Sequence, residues 1–195
     1  MGCGASTAVV SEADKATLAN AQFTAIPPVW SGITAMEGNM LIVNGATIED
    51  AAGKVILNVA NNKAAEEWAL SDPATGQVVM TVSKTDGGGW AKNITLKINS
   101  ATGLFGSLEL PQTFSGGILN YLDTSGALVM KAKFYSSKMV KIFGPDGKSL
   151  AAVVTGSSGL GTFAVTPKSC TFAKGVDPII ALAMAPALIG NMSGA

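Results

Sequence analysis

Apolar and polar residues alternate strictly through Ile94-Thr-Leu-Lys-Ile and nearly so through Val78-Val-Met-Thr-Val-Ser. A period of two puts Ile94, Leu96 and Ile98 on one face and Thr95 and Lys97 on the other, the pattern of a strand half buried against a core. Between such segments a turn signature recurs: Asp50-Ala-Ala-Gly53, Asp72-Pro-Ala-Thr-Gly76, Ser100-Ala-Thr-Gly103, Asp123-Thr-Ser-Gly126 and Pro145-Asp-Gly147. The glycines are 23, 27, 23 and 21 residues apart, room for two strands and their turns in each interval. About ten or more strands fit that spacing. An Asp or Ser side chain opens each of the first four turns and a glycine takes the positive φ of the reversal, so the signature has a physical cause.

The series ends in a largely apolar segment, Val176 to Ile189, of 14 residues bounded by Lys174, Gly175 and Gly190. A bilayer crossing needs about 20 apolar residues, so the segment predicts a helix buried inside the protein, over 177–189. Asp177 suits its N-cap and Pro178 its first turn, while Ile179, Ile180, Leu182, Met184, Leu188 and Ile189 leave no polar face. Pro186 removes the hydrogen bond to the Leu182 carbonyl and predicts a kink or an early end. A helix apolar all round needs walls on every side, and the walls available here are strands. The expected fold is mainly β, a closed antiparallel barrel or strongly curved sheet around the C-terminal helix. Other helix signals are sparse: a short helix over Ser11 to Gln22 and a single turn over Lys63 to Trp68.

Composition narrows the chemistry. Of 195 residues 48% are hydrophobic and 13% charged, enough apolar residue for one domain with a substantial core. Residues 1–28 are expected to be a mobile N-terminal segment and residues 29–190 the folded domain. The chain has neither His nor Arg. Triad and Cys–His catalysis within this polypeptide is thereby excluded, and phosphate would be held by Lys, backbone N–H groups or hydroxyls without a bidentate fork. Glu66 with Glu67 is the nearest approach to an acid pair, and adjacent acids in a turn are usually solvated. No catalytic residue, metal site or cofactor is assigned. The glycine-rich stretches Asp86–Gly89 and Gly156–Gly161 are flanked by strand patterns and lack the Gly-Lys-Ser/Thr ending of a phosphate loop, so they read as hairpin turns.

Net charge is zero but unevenly placed: six Lys against eleven acids in residues 1–126, seven Lys against Asp146 and Asp177 thereafter. Nothing in this balance suggests nucleic-acid binding. Lys131, Lys133, Lys138, Lys141 and Lys148 fall within 18 residues. They form either a solvated sheet face or a patch for anionic lipid headgroups. Trp30, Trp68 and Trp90 fit either burial or a membrane interface.

The opening Met1-Gly2-Cys3-Gly4-Ala5-Ser6 fits the N-myristoylation pattern, with Cys3 a palmitoylation candidate. One myristoyl chain binds membranes marginally, and a second chain or a basic patch makes the attachment stable. No cleavable secretory signal is visible, and two cysteines make no disulfide scaffold; Cys170 reads as a buried thiol. These features predict a peripheral protein on the cytoplasmic face of a membrane.

The strand-turn-strand units followed by Phe172-Ala-Lys-Gly-Val-Asp-Pro-Ile-Ile-Ala-Leu-Ala-Met-Ala resemble the LURP-one-related and phospholipid-scramblase branch of the tubby-like superfamily. The resemblance implies a twelve-stranded barrel around the hydrophobic helix, from about Val29 to Ile189. Gly2, Cys3 and the Lys131 to Lys148 cluster lead to the expectation of a non-catalytic domain that binds anionic lipid such as phosphoinositide, or recruits a protein partner. Lipid translocation of the scramblase type is the alternative. The chain shows neither a clear acidic calcium loop nor a long C-terminal membrane span of the kind associated with scramblases.

Overall fold

The structure is a computed structural model and describes residues 8–24, 28–35, 39–62, 67–85, 94–110, 118–136, 138–158 and 165–187. Helix α1 (Glu12–Asn20) and a 3-10 turn (Ser31–Ala35) precede twelve strands. These are β1 (Met40–Asn44), β2 (Thr47–Asp50), β3 (Val55–Asn62), β4 (Glu67–Ser71), β5 (Val78–Lys84), β6 (Ile94–Ser100), β7 (Gly103–Leu110), β8 (Ile118–Asp123), β9 (Leu128–Ser136), β10 (Met139–Phe143), β11 (Leu150–Ser158) and β12 (Val165–Phe172). Helix α2 (Pro178–Ala187) follows. Each strand pairs antiparallel with its neighbours in sequence, and β1 closes on β12 with Leu41 opposite Cys170. Closure leaves no edge strand among the described residues. The chain is thus mainly β, a closed antiparallel barrel of twelve strands around a C-terminal helix.

The recurrent turns all lie at one end of the barrel, linking each even strand to the next odd one. Their side-chain openers act as the sequence predicts. Asp50 Oδ1 accepts from the N–H groups of Ala52 and Lys54, Asp72 Oδ1 from Ala74, Ser100 Oγ from Thr102, and Asp123 Oδ1 from Ser125 and Ala127. Gly53, Gly76, Gly103, Gly126 and Gly147 all have positive φ. The alternation is realised as well: Leu96 and Ile98 are buried and Lys97 is exposed.

The inward residues form a closed ring across the ladders, with Leu70 opposite Met80, Leu96 opposite Leu108, Tyr121 opposite Met130, and Val154 opposite Cys170. Helix α2 fills the space they leave, packing on β11 and β12 and, across the bore, on β7 and β8. All seven residues from Ile179 to Ala185 are at most 2% exposed. Large and small side chains alternate from Ile180 to Ala185, which lets the helix fit between facing walls. Asp177 caps it, Oδ1 accepting from the N–H groups of Ile179 and Ile180 at 2.8 and 3.2 Å. The predicted span of 177–189 thus becomes Pro178–Ala187, ending one residue beyond Pro186; residues 188 and 189 lie outside the described residues.

Two local expectations change. Trp68 belongs to strand β4, paired with Asn61 on one side and Val82 on the other, so ladder pairing with two neighbours overrides the weak helical tendency of that stretch. Packing also begins well before residue 29. Helix α1 packs on β11 and β12 with Leu18 only 1% exposed, and Ala151 and Val153, on the outward side of β11, are buried. Among the described residues no helix is long and apolar enough to cross a membrane.

Candidate functional site

Period-two geometry turns the lysine run into a surface. Inward positions of β9 and β10 are taken by Met130, Ala132, Val140 and Ile142, so Lys131, Lys133 and Tyr135 of β9 and Lys141 and Phe143 of β10 face outward. Lys131 opposes Phe143, and Lys133 directly opposes Lys141. Lys131 also reaches the turn that carries Lys148, since a Cβ added at Gly147 would lie 3.9 Å from its Nζ. Lys138 stands at the other end of the ribbon, in the β9–β10 connection. All five lysines therefore lie along a single hairpin and its two ends.

Like charges opposite each other across a ladder are unfavourable. Lys133 and Lys141 are each drawn to an aromatic ring on the other strand. The Lys133 ammonium lies 5.3 Å from the centre of the Phe143 ring, and that of Lys141 lies 4.1 Å from the Tyr135 ring. Both are cation–π contacts made to the diagonal neighbour. Tyr135 is 69% exposed, and Ile118, opposite Lys133 on β8, is 39% exposed. The face therefore joins positive charge to exposed aromatic and aliphatic surface.

Lys141 differs from the rest. Its Nζ donates to Asp14 Oδ1 of α1 at 2.9 Å, with the two side chains only 16% and 15% exposed. Burial acts to raise the Asp14 carboxyl, but hydrogen bonds from Lys141 and Ser11 and the charge of Lys141 outweigh it and hold the carboxyl below its usual range. Ser11 Oγ donates to Asp14 Oδ2 and accepts from the Asp14 N–H as the N-cap of α1. Among the described residues no carboxylate is within ion-pair distance of Lys131 or Lys133. Near Lys148, the Ser149 hydroxyl and the N–H groups of Lys148 and Ser149 hold the Asp146 carboxyl at about 2.

Among the buried polar groups of the described residues, Asp177, Cys170 and Tyr121 bear on stability rather than on this face. Asp177 Oδ2 accepts from the Val29 N–H at 2.8 Å, tying the chain entering the barrel to the cap of α2. Burial pushes its carboxyl up, against the pull of three N–H donors. Cys170 is a free, fully buried thiol pushed up to about 12 by burial and the charge of Asp177. Burial and the charges of Asp177 and Asp123 likewise raise the Tyr121 phenol. An open cleft of about 360 Å³ lies between Leu18 and Ala19 of α1, Asn39, and the Phe172–Gly175 connection.

Gly2 and Cys3, the acylation candidates, lie outside the described residues, as do Glu66, Trp90 and the 86–89 stretch. Trp30 and Trp68 are half-buried and pack on the core. Sequence reading missed Tyr135 and Phe143, although the patterns Lys131-x-Lys133-x-Tyr135 and Lys141-x-Phe143 at a strand period would have found them. It also missed Asp14, for which no sequence signal existed.

No protein-family model and no curated protein matches the chain. Among solved structures, the chain is similar to a protein from Arabidopsis thaliana determined by X-ray crystallography. The identity is 13% and the TM-score 0.51, over 76% of this chain and 87% of that one. At that identity the likeness concerns the fold alone.

Proposed function

We propose that this chain is a non-catalytic, membrane-associated barrel of the tubby-like, LURP-one-related kind. It binds anionic lipid, such as phosphoinositide, through the outer face of β9 and β10, and acylation at Gly2 and Cys3 holds it to the cytoplasmic face. The observation that carries this reading is Lys131 and Lys133, without carboxylate partners among the described residues, on the same face as exposed Tyr135. Lysines near an anionic leaflet contribute about 1 kcal/mol each, so Lys131, Lys133 and Lys148 together supply about 3 kcal/mol. That is too little for stable residence alone and enough to consolidate the marginal binding of one acyl chain. The ring of Tyr135 suits the headgroup depth.

The test is vesicle flotation of unacylated protein with neutral and with phosphoinositide-containing liposomes over a salt series. Binding is expected to need anionic lipid and to fall with salt. Lys131→Gln with Lys133→Gln should weaken it about 30-fold, the equivalent of two lysines. Unchanged binding in that variant would make the face merely solvated. No binding to either vesicle would leave membrane residence to Gly2 and Cys3 and turn attention to a protein partner.

A further inference from the structure

We propose that the Asp14 carboxylate is an internal occupant of an anion-binding position on the outer face of β10, from which an anionic lipid headgroup displaces it. The inference rests on the lipid-binding reading above and adds a built-in competitor to it.

Three observations converge. Lys141 stands opposite Lys133, and the carboxylate that neutralises it is brought from outside the barrel, 127 residues away in sequence. That carboxylate has both oxygens engaged, Oδ1 by Lys141 and Oδ2 by Ser11, as a headgroup phosphate would be beside the same ammonium. The element that carries it is held by few buried side chains, Val10 just before it and Leu18 within it. Helix α1 has nine residues, too few to be stable in isolation, and Leu18 is the one residue within it that is buried.

Displacement also favours a lipid surface over a free anion. Helix α1 packs on β11, where Ala151 and Val153 are both 0% exposed on the outward side, next to the lysine-bearing ribbon. Releasing α1 uncovers an apolar strip that lipid can cover again. Tyr135, on the Lys141 ammonium and largely exposed, marks the open side of the position.

The experiment measures binding of unacylated protein to vesicles of phosphatidylcholine with 20% (about one lipid in five) phosphatidylserine. Asp14→Asn should bind about fivefold more tightly, the value of one additional lysine at the surface. Asp14→Glu, which keeps the charge, should bind as the unaltered protein does. Adding Lys141→Gln to Asp14→Asn should abolish the gain, and thermal melting checks that each variant retains the barrel. Equal binding by the unaltered protein and Asp14→Asn would overturn the proposal, and so would a gain that persists without Lys141, which would reflect only the loss of a negative charge. Either result leaves the lipid-binding reading standing if Lys131→Gln with Lys133→Gln still weakens binding. No binding by any variant, to these vesicles or to the phosphoinositide-containing ones, overturns both.

Discussion

Replacing Gly175 by alanine, beside the same change at Gly126, separates a backbone cost from a steric one. Both glycines sit at positive φ, +88° and +81°, where an L side chain costs about 1–2 kcal/mol. Alanine returns about 0.4–1 kcal/mol by restricting the unfolded chain, leaving a net loss near 1 kcal/mol from this source. At Gly126 nothing lies within 4 Å of an added Cβ, so that loss is the whole effect. At Gly175 the added Cβ would be 2.2 Å from the Phe23 carbonyl oxygen and 3.0 Å from its carbon. These are backbone atoms held in place by the Phe23 N–H bond to the Lys174 carbonyl, so they cannot rotate aside. Overpacking of this kind costs a further 1–3 kcal/mol. For a chain of this length 1 kcal/mol is worth about 2–4 °C, so thermal melting should show a fall of about 3 °C for Gly126→Ala and about 9 °C for Gly175→Ala. Equal shifts would refute the reasoning, because they would mean that the chain between α1 and the barrel yields freely to the added methyl group.

Two further outcomes follow from the buried groups. Asp177 has its carboxyl raised by burial, so the folded state holds that proton more tightly than the unfolded one; its contribution is fully present below the unfolded value of about 3.9 and is lost as pH rises through the folded value. Chemical denaturation of the unaltered protein and Asp177→Asn across pH should therefore show their stability difference moving against the unaltered protein as pH rises, and a flat difference would contradict the assignment. For Cys170, fully buried with its thiol pushed up to about 12, a Cys3→Ser variant at pH 8 should react with a thiol reagent only at the rate of unfolding, whereas rapid labelling of the folded protein would show that the barrel wall opens there.

Much of the fold was legible because its rules are local. Alternation at a period of two assigns Leu96 and Ile98 to the core and Lys97 to solvent whatever the partner strand, and an Asp or Ser three or four residues before a glycine closes its own turn. The apolar run after Asp177 demanded an enclosure, and its cap and first turn were readable from Asp177 and Pro178. Around Trp68 the local pattern points to a helical turn, but a stretch with weak tendencies takes its conformation from the strands on either side, and its partners Asn61 and Val82 lie beyond the three or four residues over which a helical tendency is set.

The candidate site divides along the same line. Lys131, Lys133 and Lys141 were visible as a cluster, and their sharing of an outward face follows from strand parity. Tertiary structure decided which of them keeps an unopposed charge. Ladder register set Lys133 against Lys141 and gave each an aromatic ring, and the docking of α1 brought Asp14 to Lys141 alone. The sequence by itself thus determined the alternation, the turns and the buried helix, since each depends on neighbours within a few residues. Closure of β1 on β12, the seat of α1 and the pairing of Asp14 depend on contacts between residues more than a hundred positions apart, where no local pattern specifies which partner a charge will find.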